Sequence, residues 1–86
     1  MEKKAILIRA DGTEQALTPQ KKPDLKQMQT WVGGYIERVK VRYEGHIRTM
    51  YVNEEGLLLN LQFNQKASSI CKRTIVGDVF ILVGWR

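Results

Sequence analysis

Two short segments near the ends of the chain are apolar at every position, and they limit the fold more than any other feature. Residues 6–8 read ILI, and residues 79–83 read VFILV. Uninterrupted apolar runs of this length are typical of strands that are buried on both faces. We therefore predict that residues 3–9 and the last strand lie at the centre of one sheet.

A helix is predicted between these strands, directly before a pair of glycines. Leu25, Met28 and Val32 recur at helical spacing, and Asp24 is a typical N-cap residue. Gly33 then ends the helix, because glycine readily adopts the left-handed conformation found after the last helical turn. Residues 10–24 contain two prolines and an Asp-Gly pair, and we predict a flexible loop there.

Residues 35–43 (YIERVKVRY) alternate between apolar and basic side chains, which predicts a strand and a hairpin with residues 47–53. A three-residue loop at Glu44-Gly45-His46 keeps apolar and charged faces separate, and it places Arg42 opposite Arg48. This register gathers four basic side chains on one face of the hairpin: Arg38, Lys40, Arg42 and Arg48.

The remaining segments complete an α+β fold. Residues 53–56 (NEEG) predict a turn, and residues 57–63 predict an irregular strand or a covering loop. Asn64 is expected to cap a second short helix, which buries Ala67 and Ile70. The predicted order is β-α-β-β-(β)-α-β in a single domain of residues 1–86, with a mostly antiparallel sheet and both helices on one of its faces.

Composition excludes several classes of protein. The chain has 86 residues, a net charge of +5, one cysteine (Cys71) and one histidine (His46). These residues are too few for a disulfide framework or a zinc site, and neither lies in a nucleophile motif. No apolar run is long enough to span a bilayer. We expect a cytoplasmic protein without metal, cofactor or catalytic activity, and the positive charge favours an anionic partner.

Three sequence blocks carry a resemblance to known proteins. They are LKQMQTWVGGYIERV, VNEEGLLLNLQFNQKAS and IVGDVFILVG, and together they lie within residues 25–84. The chain resembles a family of small bacteriophage and mobile-element proteins that is known as a domain of unknown function. Met28 stands where leucine is expected in that pattern. The resemblance implies an accessory protein of the host-cell cytoplasm, of a class that often blunts host defences.

Candidate ligand-binding residues cluster around the glycine pair and the basic strand. The glycines follow a helix, whose carbonyl end repels anions, so they do not form a phosphate loop themselves. They are either a helix cap with a chain reversal or a ligand-contacting loop flanked by aromatic side chains. Asn64 and Lys66 begin the second helix, where capping and anion binding are both possible. The candidate residues are Trp31, Gly33, Gly34, Tyr35, Arg38, Lys40, Arg42, Arg48, Asn64 and Lys66.

The leading hypothesis is that the protein, as a homo-oligomer, binds and sequesters a nucleotide-derived signal of the host without catalysis. An inhibitor that docks on a host enzyme is the alternative from another class, and weak nucleic-acid binding is the third. The basic strand face could also be a solvated surface, since basic residues are common on exposed strands. Adjacent Glu54 and Glu55 lie in a turn and diverge, so they form no acid–base pair.

Overall fold

The computed structural model describes residues 3–85, which form one five-stranded sheet and two helices. The strands pair antiparallel throughout, in the order β2-β1-β5-β4-β3. The predicted α+β class with an antiparallel sheet is confirmed. In chain order the elements are β1 (Lys4–Ile8), β2 (Glu14–Leu17), α1 (Leu25–Val32), β3 (Ile36–Tyr43), β4 (His46–Asn53), α2 (Gln65–Cys71) and β5 (Val79–Val83).

The two apolar segments of the sequence lie side by side in the interior of the sheet. β1 pairs with β5 from Lys4–Val83 to Ile8–Val79, and all five residues of β5 are buried. Because successive residues of a strand point to opposite faces, the apolar residues of β1 and β5 supply both sides of the sheet. The predicted central position of both strands is confirmed.

The helices pack on opposite faces of the sheet, so the prediction that both share one face is wrong. On one face, Ala67 and Ile70 of α2 pack with a cluster that contains Ile8, Met50 and Ile81. On the other face, Met28 and Val32 of α1 pack with Leu7, Tyr51, Phe80 and Leu82. The physical reason is the double-sided apolar character of the inner strands, because each face needs its own cover.

The segment 10–24 contains a strand, which the sequence prediction of a loop missed. β2 pairs with the outer side of β1, and its four side chains are mostly exposed. Asp11 fixes the turn before it, since its carboxylate accepts hydrogen bonds from the Thr13 amide (2.9 Å) and hydroxyl (2.7 Å). Both bonds lower the pKa of the Asp11 carboxyl, and the bond from the Thr13 backbone amide has the larger effect. An exposed edge strand lacks the apolar alternation by which strands are recognised.

The hairpin of β3 and β4 has a two-residue turn instead of the predicted three-residue loop. Glu44 and Gly45 form it with φ values of 52° and 79°, and Tyr43 pairs with His46. Two positive φ values fit a type I′ turn, whose twist matches that of the strands. The pairing is therefore shifted by one residue, so that Arg42 lies opposite Ile47 and Val41 opposite Arg48. Residues 57–60 form turns and residues 61–62 have no regular structure, so the irregular strand is not present; Phe63 makes an isolated bridge with Val76.

Candidate functional site

The glycine pair ends α1 and reverses the chain toward β3. Gly33 has φ 80°, and its N–H donates to the Gln29 carbonyl at 2.8 Å. Gly34 donates to the same carbonyl at 3.0 Å. A Cβ at Gly34 would lie 3.0 Å from the side-chain nitrogen of Asn53, whereas one at Gly33 would meet no atom within 4 Å. The glycines therefore serve a helix cap and a close approach within the protein.

Asn53 joins the end of α1 to the following turn, a role that the sequence prediction missed. It is buried, and its Nδ2 donates to the Val32 carbonyl at 3.1 Å. Its Oδ1 accepts from the Glu55 amide at 2.8 Å. A polar residue at the end of an apolar strand, next to a turn, was the only indication in the sequence. This contact makes the turn at 53–56 part of the rigid fold.

Asn64 and Lys66 are occupied by contacts within the protein. Asn64 is buried; its Oδ1 accepts from the Ala67 amide, and its Nδ2 donates to the carbonyls of Ile8 (3.0 Å) and Gly77 (2.8 Å). The capping prediction for Asn64 is confirmed. Lys66 forms an ion pair with Glu14 at 2.8 Å, which links α2 to β2. Asn64 is thus used by the fold, whereas the exposed Lys66 stays a predicted ligand contact.

Three basic side chains of β3 form a cationic row, which comprises Arg38, Lys40 and Arg42. They alternate with Val39 and Val41, so they lie on the α1 side of the sheet, about 7 Å apart along the strand. Arg48 pairs with Val41 and belongs to the other side of the sheet. The prediction that four basic residues share one face is therefore wrong for Arg48, as a direct result of the shorter turn.

The aromatic residues near the cationic row are held in the core. The Arg38 guanidinium lies 5.6 Å from the centre of the Tyr51 ring, and that ring stacks on Phe80 at 4.7 Å. Tyr51 lies on the same side of the sheet as the cationic row. It is buried, so its ring is not an open surface on which a base could stack. Lys40 donates to the Thr49 hydroxyl at 3.2 Å. A cavity of about 190 Å³ next to Lys40 reaches half-buried Trp85.

Trp31 lies away from the cationic row. Its ring meets Phe80 edge-on at 5.0 Å, and the side chain lines small cavities beside Arg9 and Asp78, on the β1 side of the sheet. Tyr35 is exposed and accepts a backbone hydrogen bond from the Glu54 amide at 2.8 Å. The structure therefore brings Trp31, Gly33, Gly34 and Tyr35 near one helix end, but it does not join Trp31 to Arg38, Lys40 and Arg42.

Trp31 instead borders a cavity between α1 and the loop before it. This lysine groove has a volume of about 910 Å³. Three lysines that the sequence prediction did not select lie along it. Asp24, the one carboxylate among the described residues that line it, accepts the Gln27 amide at 2.8 Å as the helix cap. Its lining residues are Pro19, Gln20, Lys21, Lys22, Pro23, Asp24, Lys26, Gln27, Thr30 and Trp31.

Within residues 3–85, no group of three or more His, Cys, Asp and Glu side chains is placed to hold a metal ion. Over the same residues, neither helix has the length and apolar character that crossing a bilayer requires. Partial burial, followed by the negative charge of Glu44, raises the pKa of the Tyr43 phenol. This shift stabilises the neutral phenol at ordinary pH.

The fold and its groove define a small α+β protein with a cationic, aromatic-bordered surface. Residues 2–85 match the model of the family described as Domain of unknown function (DUF3846), and the chain belongs to this family. The resemblance to a family of unknown function is thus confirmed, while an origin in phages stays a prediction. Comparison with curated proteins and with solved structures gives no match.

Proposed function

We propose that this protein binds a small nucleotide-like anion in the lysine groove and does not transform it. The observation that supports this function is the combination of Trp31 with Lys21, Lys22 and Lys26 around one cavity of about 910 Å³. Sites for small ligands commonly measure about 300–1,000 Å³. The groove is thus large enough for a nucleotide, whereas the cavity of about 190 Å³ beside Lys40 is not.

The groove offers different chemistry to the two halves of such a ligand. The indole of Trp31 is half-buried and carries an aromatic face on which a base can stack. Lys21 and Lys26 are exposed and supply compact positive charges for phosphate oxygens. The negative charge of Asp24 reduces this positive charge only in part, because its carboxylate is hydrogen-bonded to the N-terminus of α1. A ligand with an aromatic ring and a phosphate group can contact Trp31 and the lysines at the same time.

The biological role is proposed from the sequence resemblance. Small accessory proteins of phages act in the cytoplasm of the infected cell, and binding without turnover lowers the free concentration of a signalling molecule. We propose that the protein sequesters a nucleotide-derived signal of the host in this way. Among the residues of 3–85 that border the groove, no pair is suited to acid–base or nucleophilic chemistry, which favours sequestration.

The two tryptophans of the chain allow a site-resolved binding experiment. A Trp85→Phe variant retains Trp31 as its single tryptophan, and a Trp31→Phe variant retains Trp85. Cyclic mononucleotides, cyclic dinucleotides and ADP-ribose would be titrated into each variant while tryptophan emission is followed. We expect one ligand class to change the emission of Trp31 and to leave that of Trp85 unchanged. Calorimetry on the unmodified protein gives the affinity.

Lysine variants locate the phosphate end of the site. Lys21→Ala and Lys26→Ala should each weaken binding by about 5- to 10-fold, as expected for loss of one charge-assisted contact. The matched variant Lys40→Ala, in the cationic row, should retain full affinity. If Lys40→Ala loses the ligand and the groove variants keep it, the site lies on β3. If no member of the panel produces heat or an emission change, nucleotide binding is wrong.

Single-stranded nucleic acid is the competing ligand with the same chemistry. Its affinity would fall steeply between low and moderate salt, because each phosphate contact releases a bound cation. A mononucleotide held by two lysines and a stacked ring should depend only weakly on salt. Titration of a short oligonucleotide at two salt concentrations separates these outcomes.

A further inference from the structure

The segment between β4 and α2 presents apolar side chains to solvent although its backbone is fixed. Leu57, Leu58 and Leu59 are 76%, 86% and 52% exposed, and Phe63 is 53% exposed. We call these four residues the leucine patch. Consecutive apolar side chains that project into water from one site are uncommon on a monomeric protein and typically mark an interaction surface.

The leucine patch is held outward by its own backbone contacts. The Leu59 amide donates to the Glu55 carbonyl at 2.9 Å, and the Leu61 amide donates to the Gly56 carbonyl at 3.1 Å. Gly56 lies so close to Val76 that a Cβ there would approach the valine methyl to 2.7 Å. These contacts fix the backbone of the segment beside Val76, and the leucines extend from it into solvent.

A concave surface lies directly beside this convex one. A cavity of about 360 Å³ is bordered by Leu57 and Leu58 on one side and by Ile75 and Val76 on the other. Its rim carries charges of both signs, with Glu54 and Glu55 on one part and Arg73 on another. A surface that contains a projection, a recess and opposite charges can complement itself about a two-fold axis.

We propose that the leucine patch and this cavity form the interface of a homodimer, in which the leucines of each chain enter the recess of the other. The four side chains expose about 400 Å² of apolar area, within the range of about 300–600 Å² for the largest patch of a typical monomer, a patch that is often functional. Burial on both chains, with the charged rim, reaches about 1,000–1,200 Å², at the lower end of specific interfaces. The dimer should accordingly be weak, with a dissociation constant of order micromolar.

Charge favours a second copy over a membrane as the occupant. From residue 53 to residue 65 the chain has two glutamates and no basic residue, although its net charge is +5. Glu54 and Glu55 are exposed and would repel an anionic lipid surface. In a two-fold contact the same carboxylates can approach Arg73 of the second copy, which within its own chain pairs with the exposed Glu37 at 3.4 Å.

Sedimentation velocity of the whole chain over about 5–500 µM, a range that brackets a micromolar constant, tests the proposal. We expect a monomer–dimer equilibrium that Leu58→Asp weakens by about 100-fold or more, because the change places a charge in the apolar contact. The matched control is Ile47→Asp, since Ile47 is also an exposed apolar residue (62%) but lies on the hairpin. Thermal unfolding verifies that both variants fold.

The outcomes are distinct. A dimer that Leu58→Asp disrupts and Ile47→Asp leaves intact supports the interface. A monomer at every concentration, or a dimer that Leu58→Asp does not change, overturns it. Flotation with phosphatidylcholine vesicles, with and without phosphatidylserine, measures whether the protein binds to lipid instead. Vesicle binding that requires Leu58, in a protein that stays monomeric, assigns the patch to lipid and overturns the dimer.

Discussion

At the scale of single residues, Asn64 should be among the most important side chains for stability. Its amide caps α2 and also donates to the carbonyls of Ile8 and Gly77, which joins three segments of the chain. Asn64→Ala removes a helix cap worth about 1 kcal/mol and leaves buried carbonyls unpaired at about 1–3 kcal/mol. We expect the free energy of unfolding in urea to fall by about 2–4 kcal/mol.

The first helix provides the matched control for this prediction. Asp24 caps α1 from an exposed position, where its carboxylate accepts the Gln27 amide. Asp24→Ala should therefore lower the free energy of unfolding by about 1 kcal/mol, the value of the cap alone. If the two alanine variants are equally destabilised, the buried hydrogen bonds of Asn64 contribute nothing and the account is wrong.

The glycine pair should respond to substitution for two different reasons. Gly33 has a positive φ and open space, so Gly33→Ala meets backbone strain of about 1–2 kcal/mol, and Gly33→Asn meets less. Gly34→Ala instead crowds the Asn53 amide, which is fixed by two hydrogen bonds. Chemical denaturation of the alanine and asparagine variants at each position measures these effects.

A double-mutant cycle separates the two mechanisms. In an Asn53→Ala background the crowded atom is absent, so Gly34→Ala should become nearly neutral while Gly33→Ala keeps its full effect. Additive behaviour of Gly34→Ala and Asn53→Ala would refute the steric explanation. Either way, the cycle reports on the cap and the reversal and not on ligand binding.

At the scale of elements, the turn between β3 and β4 sets the register of the hairpin and can be improved. Glu44 has a φ of 52°, which asparagine adopts more readily than glutamate does. We expect Glu44→Asn to raise the free energy of unfolding by about 0.5 kcal/mol and Gly45→Ala to lower it by about 1–2 kcal/mol.

Thermal and urea unfolding measure both turn variants against Glu54→Asn. Glu54 is also an exposed turn residue, but its φ is not in the left-handed region, so this change should be close to neutral. Equal stabilisation by Glu44→Asn and Glu54→Asn would show that removal of negative charge, and not turn geometry, is responsible.

The elements also show which parts of the fold the sequence predicts. Uninterrupted apolar runs located β1 and β5, and periodicity located α1, β3 and β4. Asp24 and Gly33 marked both ends of α1, whereas Asn64 marked only the start of α2. β2 was missed because an edge strand that buries little has no apolar pattern. The hairpin register was wrong because the prediction kept charges together on one face, whereas Arg48 is only partly buried and lies beside Val41 without difficulty.

The sequence contains the feature that places the two helices on opposite faces of the sheet, although the prediction put both on one face. Strands apolar on both faces, as in residues 6–8 and 79–83, need cover from both sides, which requires the helices to be separated. The candidate site was only partly predicted for a related reason. Trp31 was selected, but Lys26 on the first turn of α1 was not, and Lys21 comes near Trp31 only through the path of the loop before α1, which no local pattern specifies.

At the scale of the whole molecule, charge is distributed unevenly over the surface. Lys21, Lys22 and Lys26 border the groove, three more cations form the row on β3, and Glu54 and Glu55 stand beside the leucine patch. The row on β3 has an explanation that needs no ligand. β3 is an eight-residue edge strand with unpaired backbone groups, and basic side chains on such an edge oppose pairing with another copy.

This explanation predicts that the cationic row and the groove have separable functions. Replacing Arg38, Lys40 and Arg42 together with threonine retains a strand-forming residue at each position and removes the repulsion between β3 edges. The matched triple variant replaces Lys3, Lys21 and Lys26 with threonine, so both proteins have a net charge of +2, which is +5 minus three.

We expect the row variant to aggregate, with light scattering that grows with concentration, and to retain nucleotide binding. The groove variant should stay dispersed and lose nucleotide binding. If both proteins aggregate equally, net charge alone explains the solubility. If the row variant no longer binds the nucleotide, the ligand site lies on β3.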